Sequence, residues 1–149
     1  MPLQEIVDRL REELEVSRVT LRQECPETTG DGVFPVTHES CDQGVGSIIG
    51  LETPSMPGQP VVLQVQAGNQ VVQKDCAAEF LGDEPFHVML ELYGGMKAQI
   101  VTPIAVDGST RGAISAHELR HIREWTHAEI ALCTAAADRA RAELTRGAG

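Results

Sequence analysis

The stretch from Lys97 to Glu118 constrains the fold most. Residues 97–106 and 111–118 read as two strands. Asp107-Gly108 between them is a hairpin signal, lengthened slightly by Ser109-Thr110. Ile100, Ile104, Ile114 and Ala116 then share one face, and Gln99, Ser115 and His117 share the other. The apolar face has to be covered, and the next segment offers a cover. Thr126 and Glu129 have the T-x-x-E spacing of a capping box. Behind them Ile130, Cys133, Ala137, Ala140 and Leu144 recur at intervals of three and four, a coiled-coil-like seam. A strand pair followed by such a helix is consistent with the α/β class, in its α+β form.

The rest of the chain supplies matching parts. Leu3, Ile6, Val7, Leu10 and Leu14 mark an amphipathic helix over about residues 3–15, with Pro2 at its start. Residues 17–23 read as a strand, with Val19 and Leu21 on one face and Arg18, Thr20 and Arg22 on the other. A loop containing Pro26, Gly30 and Gly32 leads to a short apolar piece, Val33 to Thr37, which should form a hairpin with that strand. Residues 40–60 hold four glycines and three prolines and should be mostly irregular. By pattern, PVVLQVQAGNQVVQK (60–74) reads as two strands around Gly68-Asn69, although Pro60 also suits the first position of a helix. Asp83 can cap a helix with Pro85 in its first turn and Phe86, Met89, Leu90 and Tyr93 as its stripe. Gly94-Gly95 ends that helix.

The 149 residues are the size of one domain, and the formal charge of -10 disfavours nucleic acid and anionic membrane surfaces. No run of about 18 apolar residues occurs, so no span is expected to cross a membrane. The N-terminal segment carries acids among its apolar residues, unlike a secretory signal. The expected location is cytoplasmic, with Cys25, Cys41, Cys76 and Cys133 reduced. No P-loop, G-x-S-x-G or H-E-x-x-H motif is present, so no catalytic residue is assigned. His117, His121 and His127 lie near Glu118 and Glu124, but His117 and His121 flank a strand exit and do not form a helical ligand pair. No metal and no cofactor is assigned.

The order helix, strand pair, long loop, helix, strand, helix, hairpin, helix is similar to that of a GAF domain. The C-terminal third carries the resemblance: Val101-Thr102-Pro103-Ile104 in a strand, the Asp107-Gly108 turn, Arg111-Gly112 leading the last strand, and the Trp125-Thr126 helix start. VVQKDC at 71–76 resembles the middle strand and following aspartate of the family. The chain resembles short bacterial proteins made of this one domain. The resemblance implies a GAF/PAS-like antiparallel sheet of five or six strands. The helices of residues 1–16 and 126–145 lie on one face, and 146–149 form a frayed tail. Loops and short helices roof a pocket on the other face. It also favours a helix from Pro60 to Ala67 and a strand from Gln70 to Gln73.

The polar sheet face is then where a ligand would bind. Arg18, Thr20, Gln99, Ser115 and His117 are the candidates on strands, and His87 and Tyr93 are candidates on the roof helix. Cys76 completes the set as a thiol at a strand end. Arg22 reads more readily as a solvated strand residue or a partner of surface acids. The leading expectation is a regulatory or sensory module that binds an unidentified small molecule and forms a homodimer through its terminal helices. The alternatives are a thiol enzyme resembling free methionine-(R)-sulfoxide reductase and an interaction module without a ligand.

Overall fold

A computed structural model describes residues 1–24, 34–51 and 58–147. The loop residues Cys25, Pro26, Gly30, Gly32 and Val33, and the last two residues of the tail, lie outside this set. Five strands form one antiparallel sheet in the order β2-β1-β5-β4-β3. They are β1 (Arg18–Gln23), β2 (Val36–Cys41), β3 (Val71–Gln73), β4 (Ala98–Val106) and β5 (Ser109–Glu118). The helices are α1 (Leu3–Leu14), α2 (Pro60–Gln66), α3 (Glu84–Leu92) and α4 (His127–Gly147).

The two faces separate as the alternation requires. Val19, Leu21, Ile100, Ile104, Ile114 and Ala116 form one core with the stripes of α1 and α4. A second core lies on the opposite face, where Phe86, Met89, Leu90 and Tyr93 of α3 pack with Val61 of α2 and Val101 of β4. Both terminal helices therefore spend their apolar seams inside this chain: Ile6, Val7, Leu10 and Leu14 of α1 and Cys133, Ala137 and Ala140 of α4 are all buried.

Local signals explain the boundaries. The Thr126–Glu129 box closes reciprocally, with each backbone N–H donating to the other side chain. Asp83 accepts from the Phe86 N–H at 3.0 Å and starts α3. Pro60 opens α2, so the two-strand pattern of 60–74 yields to a helix and the short strand β3. The reason is burial: α2 presents Val61 to the second core, whereas an extended 60–67 would leave that face of the sheet uncovered.

Two boundaries differ from the sequence reading. The turn after β4 holds only Asp107 and Gly108, both at positive φ, and Ser109 and Thr110 already pair with β4. A register shift between Ile104 and Ala105 absorbs the extra residue. The partner of β1 runs from Val36 to Cys41, further along the chain than the apolar piece suggested. Hydrogen bonding to β1 settles that register, and apolar composition alone does not.

Candidate functional site

A cavity of about 80 Å³ opens between the sheet and its roof. Gln99 of β4 and Ser115 and His117 of β5 line its floor. Gln59, Val61 and Val65 from the α2 segment, and Met89 and Tyr93 from the α3 segment, supply the roof. Arg22 stands in the wall with Phe34 and Thr110, and it is the one charged side chain of the lining among the described residues. The floor residues are in register: Gln99 pairs with His117, and Ser115 with Val101 and with Thr20.

His117 is only 3% exposed, and a buried guanidinium orients it. Arg18, itself 1% exposed, donates Nε–H to His117 Nδ1 at 3.0 Å. An arginine Nε carries a proton at any relevant pH, so Nδ1 must be the acceptor. Burial, then the charges of Arg18 and Arg22, push the imidazole well below its usual range. His117 is therefore neutral, with its proton on Nε2. No protein group among the described residues accepts from that nitrogen, and His117 lines the cavity.

Arg18 sends its other two donors to main-chain oxygens, Gly46 O at 3.0 Å and Tyr93 O at 2.7 Å. These bonds tie the 42–51 loop and the end of α3 to β1. Arg22 donates to Phe34 O and to the Tyr93 hydroxyl, each at 2.7 Å. Neither arginine has a carboxylate partner among the described residues. The cavity wall is thus cationic in a chain whose overall charge is strongly negative.

Gln99, Ser115, His117 and Tyr93 converge on the cavity. The other sequence candidates are placed elsewhere. Arg18 lies behind His117, and Thr20 is buried beside Ser115 on β1 without reaching the lining. His87 points to Glu79 O at 3.1 Å on the outer side of the roof. Cys76 is sealed in the second core, where its Sγ approaches Gln73 Oε1 at 3.7 Å and burial pushes its thiol up to about 12. Arg22 moves the other way: β1 is an inner strand, so its side chain is walled in rather than solvated. Gln59, Val65 and Met89 also line the cavity and were not singled out by the sequence. For Arg22 the signal was present, because it shares the alternation of Arg18 and Thr20.

On the far side of β5, Glu118 is 1% exposed and accepts from Ser17 Oγ, the Arg120 N–H and side chain, and Arg123. Arg123 also binds Leu14 O and Glu129, and Arg120 binds Glu15 O. His117 and Glu118 are chain neighbours on opposite faces. One strand end therefore touches both the cavity and the junction of α1 with α4.

Comparison with known proteins places this geometry. The family model of the GAF domain matches residues 2–144. The chain belongs to the GAF domain family. The chain is 26% identical over 134 residues to the circadian input-output histidine kinase CikA of Thermosynechococcus vestitus. The match takes in 86% of this chain and only 18% of that kinase. Among solved structures, the GAF domain of the cyanobacteriochrome TePixJ superposes with a TM-score of 0.80 at 21% identity, covering 97% of this chain and 87% of that one. A phycocyanobilin-bound GAF domain from a cyanobacterial phytochrome is also similar, with a TM-score of 0.75 at 21% identity and coverage of 98% and 86%. These likenesses establish the fold. Among the described residues no helix is long and apolar enough to cross a membrane, and no cluster of His, Cys, Asp and Glu has the arrangement of a metal site.

Proposed function

We propose that this GAF domain is a sensory module that binds a small molecule in the cavity between its sheet and the α2–α3 roof. The observation that carries the reading is His117. A buried, neutral imidazole, held in one tautomer by a buried arginine, keeps an unpaired donor at the cavity. Buried donors ordinarily find partners, and a ligand atom would supply one here. The similarity to a phycocyanobilin-bound GAF domain supports a small-molecule ligand.

A sensor must also transmit. A ligand that shifts the end of β5 would move Glu118 against Arg120 and Arg123, and so shift the junction of the two terminal helices. Such coupling requires different ligand affinities in two states of that junction. Because the seams of α1 and α4 are buried in this chain's own core, a homodimer would associate through the outer faces of these helices. Sedimentation velocity with and without ligand tests that association.

The thiol-enzyme alternative gains nothing from Cys76, which is buried, protonated at neutral pH and away from the cavity. Thermal-shift measurements on a panel of small metabolites test the binding reading, since a ligand that binds only the folded state raises the midpoint. A ligand that stabilises the native protein should lose its effect in Ala113→Phe, which fills the cavity. If no compound shifts the midpoint, the domain is an interaction module.

A further inference from the structure

The chemistry of the cavity wall narrows the ligand, given that the cavity is a binding site. Three features decide its class. The first is charge. Arg22 is the one charged residue of the lining, and its two observed hydrogen bonds go to neutral acceptors, Phe34 O and the Tyr93 hydroxyl. Behind it Arg18 has no carboxylate partner among the described residues. Two guanidiniums this close, with no carboxylate partner among the described residues, disfavour a further cation at the cavity. An anion is favoured by the same field. A single arginine suits a monoanion, and its planar donor fork matches a carboxylate.

The second feature is the pair of unpaired polar groups. His117 Nε2–H, which has no acceptor among the described residues, calls for one. Gln59 also lines the cavity; its Nε2 donates to Pro85 O at 3.4 Å, and its Oε1 is buried with no partner among the described residues. Turned into the cavity, that oxygen calls for a donor on the ligand. The cationic wall argues against an ammonium as that donor and for a neutral O–H.

The third feature is size. Holding one water takes about 10–15 Å³ of such volume, and a cavity of about 150 Å³ takes benzene. The 80 Å³ here accommodates the buried part of only a small molecule, about five to eight water-sized atoms. The remaining walls, from Val61, Val65, Met89, Val101 and Ala113, are aliphatic.

We infer that the cavity binds a short aliphatic hydroxy acid. Arg22 and His117 Nε2–H hold the carboxylate, Gln59 Oε1 accepts from the hydroxyl, and the α2–α3 roof covers the branched carbon chain.

Isothermal titration of the full chain tests this with 2-hydroxyisovalerate, lactate, isovalerate, isovaleramide, valine, inorganic phosphate and biliverdin. A hydroxy acid should bind best, and isovaleramide should bind roughly tenfold or more weaker than isovalerate, as expected for losing a charge-assisted bond. Arg22→Met should remove the preference for acid over amide. Arg141→Met, in a surface pair with Asp138 on α4, should leave it intact. Gln59→Met should weaken the hydroxy acids and leave isovalerate unchanged. The same variants compared by circular dichroism separate lost binding from lost folding. The hydroxy-acid assignment is overturned if the amide, valine, phosphate or biliverdin binds as tightly as the best hydroxy acid. It is also overturned if a folded Arg22→Met keeps the acid preference. Those outcomes leave the cavity a ligand site of another class. Failure of every probe and of the wider metabolite panel overturns the binding reading itself.

Discussion

Replacing Glu118 with glutamine is the sharpest test of how the sheet is tied to its terminal helices. The Glu118 carboxylate is 1% exposed and accepts four hydrogen bonds: Ser17 Oγ at 2.9 Å, the Arg120 N–H and Nε at 3.1 Å, and Arg123 at 3.1 Å. Three of these fall on Oε2, and a glutamine oxygen can keep them. The amide NH₂ would then face the Arg123 guanidinium, donor against donor. Removing one member of a buried pair costs about 3–5 kcal/mol. Arg120 is half-exposed and Arg123 keeps Leu14 O and Glu129, so about 3 kcal/mol is expected for Glu118→Gln. For a domain of this size that lowers Tm by roughly 6–12 °C.

The pH dependence of this loss follows from the same contacts. Burial alone would raise the carboxyl, but the bonds from the Arg120 N–H, Ser17 and the Arg120 side chain outweigh it and hold it below the usual glutamate range. The folded pKa is depressed, so the stabilisation is fully present above the unfolded glutamate pKa. It is lost as pH falls through the folded one. Urea denaturation of both proteins should give a constant difference at neutral pH that closes in acid. A difference below about 0.5 kcal/mol, the range of an ordinary surface substitution, would refute the reasoning. So would one that persists unchanged at a pH well below the carboxylate range.

Other outcomes follow from the same geometry. In Gly112→Ala the new Cβ would stand 2.3 Å from the Arg22 carbonyl oxygen, and that backbone oxygen cannot swing away. Denaturation should show a loss of about 3 kcal/mol, the upper end for overpacking. Gly108→Ala meets no atom within 4 Å, and its φ of +80° should limit the loss to about 1–2 kcal/mol in the same assay. Thr126→Ala removes one half of the capping box and should cost about 1 kcal/mol, with faster amide exchange confined to the first turn of α4. Burial pushes the Cys76 and Cys133 thiols up to about 12, so both should resist a thiol reagent at pH 8 in the folded chain and react in guanidinium. In nitrogen-resolved NMR, His117 should stay a neutral Nε2–H tautomer through the range in which an exposed histidine protonates. Its protonation in that range would refute a buried, neutral imidazole accepting from Arg18.

The sequence by itself determined the two faces of the sheet. Period-two alternation in 18–22 assigns Val19 and Leu21 to the helix side, and Ile100, Ile104, Ile114 and Ala116 lie at even spacings along their strands on that same side. No register that keeps them buried could do otherwise. Caps were legible for a similar reason, because Asp83 and the Thr126–Glu129 box act within one helical turn. The cavity was legible only as a face. Which side chains reach it depends on contacts between residues far apart in the chain. Tyr93 meets Arg22 across 71 positions, and Arg18 fixes the His117 tautomer across 99. Local pattern carries no information about such pairs. The same holds for Cys76 and His87, whose residue types fit a site but whose packing turns them away from it. Tertiary structure alone decided that the polar face became a small cationic cavity, because only folding brings two arginines to one cavity with no carboxylate partner among the described residues.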